Sequence, residues 1–170
     1  MNSVSCDQLG YHETPVRVHF GQVDRYGYLW HGHAAAIFEI ARADVARPFG
    51  LSAHEISGAG FAVPMIELRC QYRRPARDDE ALVVQSTLLR PHLPLPELRF
   101  MYRLLRPAEG GMTEILRGET RQLLLRDGGR LVMRVPAEFR ERLERLWTYL
   151  ESRPRWPAAP VPGSISRGGA

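Results

Sequence analysis

Apolar and polar residues alternate along five stretches of this chain, and in two others the apolar residues recur every three or four positions. Val16, Val18 and Phe20 alternate with Arg17 and His19, which predicts a first strand. Phe61 to Arg73 sets Ile66, Leu68, Cys70 and Tyr72 on one side and Glu67, Arg69, Gln71 and Arg73 on the other. Ala81 to Leu89, Leu98 to Leu105 and Ile115 to Leu125 read as three more strands, followed by an Asp127-Gly128-Gly129 turn into Arg130 to Val132. From Gly32 to Arg47 the spacing is helical, with Ile37, Ile40, Ala41, Asp44 and Val45 on three- and four-residue steps and Pro48 and Gly50 ending the run. The small residues Gly32, Ala34, Ala35 and Ala36 predict close packing of this helix on a sheet, and Glu39–Arg42 and Asp44–Arg47 are spaced as ion pairs on its edge. Pro136 to Leu150 predicts a terminal helix with Phe139, Leu143, Leu146 and Leu150 on one stripe. One strand, a long helix and then four strands without intervening helices is an α+β order. It predicts an antiparallel meander with the helix across it.

At 170 residues the chain fits one domain, residues 1–150, and a Pro-, Gly-, Ser- and Ala-rich tail, 151–170, expected to be disordered. No apolar run approaches the roughly 20 residues of a membrane span. Met1 to Gly10 lacks the basic start and apolar core of a secretory signal. Cys6 and Cys70 are too few for a disulfide framework, so a reducing cytoplasm is the simplest compartment. All 23 basic residues are arginine. A lysine Schiff base and a phosphate-loop lysine are therefore excluded. The arginines alternate with apolar residues and the net charge is only +4, a poor basis for nucleic-acid binding.

The chemistry concentrates in Asp24-Arg25-Tyr26-Gly27-Tyr28-Leu29-Trp30-His31, which leads into the alanine-rich helix. A carboxylate sits seven residues before a histidine, with Gly27 allowing a tight turn between them. A helix N-terminus adds unpaired N–H groups and partial positive charge. Together these are parts able to attack a carbonyl and stabilise an oxyanion. A metal reading of His31-Gly32-His33 with Glu39 is disfavoured, because i and i+2 side chains diverge on a helix. No G-x-S-x-G elbow is present.

Val18-His19-Phe20, Asp24 with Gly27 and His31, Phe38-Glu39-Ile40-Ala41-Arg42, Tyr72-Arg73-Arg74-Pro75 with its acidic turn, and Asp127-Gly128-Gly129-Arg130 ahead of Pro136 resemble the hotdog-fold thioesterases. The likeness is specifically to the 4-hydroxybenzoyl-CoA thioesterase and YbgC-like acyl-CoA thioesterase group. The resemblance implies a five-stranded antiparallel sheet wrapped around a long central helix. It implies Asp24 as catalytic base or nucleophile, and His31 acting through its amide as oxyanion donor or through its ring. Gly27, Tyr28, Trp30 and His33 become candidates to line the substrate site. Arg73, Arg74 and Arg130, with Arg69 and Arg134, become candidates for coenzyme A phosphates. The implied substrate is an acyl-CoA or acyl-carrier-protein thioester, with no metal or redox cofactor. The implied assembly is a homodimer or homotetramer with sites between subunits. His33 stands where the family often has Asn or Ser, and Ala34 where it has Tyr or Phe, so acyl preference stays open. Rival readings are a hotdog dehydratase and a non-catalytic acyl-thioester-binding protein.

Overall fold

The long helical pattern folds as α1, His31–Ala46, and the terminal one as α3, Ala137–Glu151, in a computed structural model that describes residues 6–93, 96–126 and 128–157. The strands are β1 (His12–Arg17), β2 (Met65–Tyr72), β3 (Ala81–Leu88), β4 (Glu97–Ala108) and β5 (Gly111–Leu123), with a short helix α2 (Ala53–Gly58) after α1. They form one antiparallel five-stranded sheet in the order β1-β3-β4-β5-β2. With α1 laid over one face, this is the hotdog architecture.

The meander expectation holds for β3-β4-β5 and needs correction for β2, which pairs with β5 at the far edge instead of with β3. The connection from Arg73 to Glu80 is too long for a tight hairpin and crosses three strand spacings, about 14 Å. Arg106 of β4 pins that crossing: its guanidinium donates to Pro75 O at 3.0 Å and pairs with Glu80, whose carboxyl it holds below the usual range. The first strand also lies earlier than its alternation suggests. It spans His12–Arg17, and Phe20 begins a 3₁₀ turn with 83% of its surface exposed. Pro15 hides this strand in the sequence, yet a residue without an N–H is tolerated on an edge strand.

Ala34, Ile37, Phe38, Ala41 and Val45 form the buried stripe of α1. Phe38 lies on Gly118 of β5, where an added Cβ would stand 2.1 Å from its ring, and stacks on Tyr102 of β4 at 4.5 Å. Ile40, expected in this stripe, is 54% exposed. Glu39 and Arg42 pair as expected. Asp44 does not pair with Arg47; it accepts from Thr14 at 2.7 Å and meets His12 at 3.1 Å, tying α1 to β1. Partial burial pushes the Asp44 carboxyl up, but these bonds prevail and hold it below the ordinary range.

The outer sheet face answers the question of the arginines. Arg103 and Arg117 meet Glu114 at 2.7 and 2.9 Å, Arg121 bridges Glu67 and Glu97 at 2.7 and 2.9 Å, and Arg99 meets Glu119 at 2.6 Å. The alternation of arginine with apolar residues is thus the two-sidedness of a sheet, apolar toward α1 and ion-paired away from it.

Within the stretch expected to be a tail, the first residues are ordered against the rest of the chain. Ser152 to Pro157 folds back along the N-terminal segment: Tyr11 N donates to Pro154 O at 3.1 Å, Trp156 N donates to Leu9 O at 3.1 Å, and Trp156 is 7% exposed. Asp127 and residues 158–170 of the predicted turn and tail lie outside the described residues.

Candidate active site

The loop between β1 and α1 is a small hairpin. Val23 bridges Leu29, Asp24 N donates to Tyr28 O at 2.8 Å, and Trp30 N donates to Gln22 O at 2.9 Å. Gly27 turns it with φ +82°, a conformation L side chains rarely adopt. Its carbonyl accepts from Ala76 N at 2.8 Å, so the segment after β2 is stitched to the loop tip.

Asp24 holds this turn as well as facing the site. Its Oδ1 accepts from the amides of Tyr26 at 2.8 Å and Tyr28 at 2.9 Å, while Oδ2 has no hydrogen-bond partner among the described residues. The half-buried carboxylate is therefore oriented through one oxygen and open through the other.

Three residues beyond Tyr28 the chain enters α1. Trp30 is the N-cap residue without a side-chain cap, and the first turn carries no acidic side chain. The amides of His33 and Ala34 return to Trp30 O at 2.9 and 3.1 Å. Those of His31 and Gly32 have no acceptor among the described residues. An uncapped helix start of this kind is a donor pair for an anionic oxygen.

The predicted residues divide into two groups. Asp24, Gly27, Tyr28, Trp30 and His31 share the loop and helix start. The His31 ring is exposed and stacked on Trp30, 4.9 Å between centroids, with no hydrogen bond to Asp24, so the chain builds no Asp–His dyad here. His33, the third residue of α1, is half-buried. Glu39 is engaged by Arg42. Arg73 and Arg74 follow β2 directly and sit near the loop; Arg73 donates to Gln71 at 2.8 Å and Arg74 to Glu114 O at 3.2 Å. Arg69 and Arg73 line a groove of about 330 Å³ on the outer face with Gln71, Met101, Arg117 and Glu119. Arg130 does not join them: it pairs with Arg126 in a hairpin at the Met65 end of β2, about 23 Å of strand away from Tyr72. Arg134 is exposed on the loop before α3.

Tyr72 belongs here, although the sequence marks it only by strand alternation and by the Tyr72-Arg73-Arg74-Pro75 motif, neither of which assigns it to the site. Its ring meets Tyr28 edge-on at 6.4 Å, and its hydroxyl is buried without a partner among the described residues. Nothing in the alternation distinguishes it from Leu68 and Cys70 on the same side of the strand.

The thioesterase superfamily model matches residues 26–90. A comparison with curated proteins returned no match. Among solved structures, a hypothetical protein from Thermus thermophilus is 30% identical, with 81% of this chain and 98% of that one covered and a TM-score of 0.64. DHNA-CoA thioesterase from Staphylococcus aureus is 20% identical over 81% of this chain and 91% of its own, TM-score 0.68. An aspartate-to-asparagine variant of 4-hydroxybenzoyl-CoA thioesterase, complexed with 4-hydroxybenzoyl-CoA, is 18% identical over 78% and 97%, TM-score 0.65.

Proposed function

We propose that this chain, which belongs to the thioesterase superfamily and is a thioester hydrolase, acts on an acyl-CoA or acyl-carrier-protein thioester with Asp24 as general base. One observation carries the reading: a carboxylate fixed through one oxygen and open through the other, on the loop that feeds an uncapped helix start. The open oxygen takes a proton from water as that water attacks the thioester carbonyl. The amide of His31 binds the oxyanion that forms, a contribution of about 3 kcal/mol for one preorganised donor. The tetrahedral intermediate then breaks its C–S bond, and the thiolate leaves with the proton Asp24 had taken. No metal or redox cofactor enters these steps. Tyr28, Trp30 and His33 border the acyl group. Arg69 and Arg73, in the outer groove, and Arg74, on the segment that leads to Ala76 and the loop tip, are the candidates for the phosphate end of coenzyme A.

The proposed working unit is a homodimer or a pair of dimers. The two sheet edges differ: β1 is blunted by Pro15, whereas β2 carries no proline and exposes Met65, Ile66 and Leu68. An unpaired edge with apolar side chains seeks a partner. A second β2 would extend the sheet and bring another copy against Tyr72 and the Asp24 loop. Light scattering at micromolar concentration is expected to give a dimer or tetramer, and Leu68→Arg is expected to shift it toward monomer with loss of hydrolysis. A monomer that turns over thioesters would refute the shared site.

A further inference from the structure

Tyr72 ends β2 at the point where the chain bends back to the Asp24 loop, with Ala76 donating its amide to Gly27. Its ring is fixed edge-on against Tyr28, centroids 6.4 Å apart and planes at 75°. The hydroxyl at the end of that fixed ring is buried and makes no hydrogen bond among the described residues. Buried tyrosine hydroxyls ordinarily find a partner, so an orphan beside a candidate active site calls for a ligand or a water. Burial pushes this phenol's pKa up, and the charges of Cys70 and Asp24 push it further. The group therefore keeps its proton at neutral pH and is a donor.

Asp24 offers the complementary half, an oxygen without a partner whose charge reaches the phenol. A water between them can donate a hydrogen bond to the carboxylate and accept one from the phenol. We propose that the Tyr72 hydroxyl donates a hydrogen bond to the water that Asp24 activates. One lone pair of that water is held by Tyr72, one hydrogen points at Asp24, and the second lone pair is left to attack the thioester carbon. The inference rests on the role of Asp24 proposed above and adds a second fixed point that sets the direction of attack.

Tyr72→Phe tests it, because the ring contact with Tyr28 stays and only the orphaned oxygen goes. With acyl-CoA as substrate, kcat is expected to fall about 10-fold or more, the worth of one well-placed hydrogen bond. KM should stay within about twofold and the melting temperature should hold or rise, as a buried unpaired group is removed. Combined with Asp24→Asn, the phenylalanine should add little further loss, since both residues act on one water. Unchanged kcat would overturn the inference. So would a kcat loss accompanied by a lower melting temperature, a loss confined to KM, or losses that multiply in the double variant. Activity retained by Asp24→Asn alone would remove the reading of Asp24 and this inference together. An inactive Asp24→Asn beside a fully active Tyr72→Phe would remove only the inference.

Discussion

Asp24→Asn is expected to lower kcat on the best acyl-CoA substrate at least about 100-fold, the lower range for loss of a general base. The structure makes this substitution unusually clean. Asparagine retains Oδ1, which can still accept from the Tyr26 and Tyr28 amides, so the hairpin and its tie to Ala76 should survive. What disappears is the charge and the open oxygen. Thiol release and a thermal melt, measured side by side, separate the two: the melt should be close to that of the parent while turnover collapses. Asp24→Ala is expected to lose the turn as well, with both readouts falling. A folded Asp24→Asn protein with near-parental kcat would mean that Asp24 only holds the loop.

The second large effect is structural and concerns Gly118. The ring of Phe38 occupies the space where a Cβ would be, 2.1 Å from its Cε2 and 2.4 Å from its Cζ. Phe38 cannot step aside, since it is fully buried and stacked within 12° of parallel on Tyr102. Gly118→Ala is therefore expected to destabilise by at least the usual overpacking cost of about 1–3 kcal/mol. Because the displaced element is α1, whose first turn presents the His31 amide, activity should fall with stability. Phe38→Leu opens the same space. The double variant should be less destabilised than the two single changes added together, with a coupling on the order of 1–3 kcal/mol. Strict additivity in denaturant unfolding would show that α1 relaxes off the sheet by another route.

How much of this was readable in the chain depends on whether a feature is local. The apolar spacing from Ile37 to Val45 gave α1, and Gly50, with φ +71°, ends the helical run after Pro48 as anticipated. Alternation gave β3, β4 and β5 within a few residues of their observed ends. The helix α2 is equally local: Ser52 and Glu55 form a capping box with both reciprocal bonds present, a start signal carried by the residues themselves. Partner choice was not local. β2 has the same alternating pattern whether it neighbours β3 or β5, and only the length of the Arg73–Glu80 crossing and its anchorage by Arg106 decide between them.

The candidate site divides in the same way. Asp24, Gly27 and His31 were legible because a turn must bring close what lies seven residues apart in sequence. Asp24 also holds the turn, the ordinary behaviour of an Asp-x-x-Gly stretch, and in the structure this coexists with an open oxygen. Tyr72 was not legible as a site residue. Its placement depends on where the edge strand ends relative to a loop 44 positions earlier, and its orphaned hydroxyl is a property of packing. Arg130 shows the converse, a residue named for its motif that this chain holds at the other end of β2.

Thiol release tests the central claim most directly. The parental protein would be offered short, long and aryl acyl-CoAs, a β-hydroxyacyl-CoA and the matching carrier-bound thioesters, with a chelator present throughout. Free thiol and free acid are expected in equal amounts from at least one of these substrates, at a catalytic rate the chelator does not change. Tight binding without turnover across the whole panel, or an enoyl thioester formed from the β-hydroxyacyl substrate with no thiol released, would contradict it.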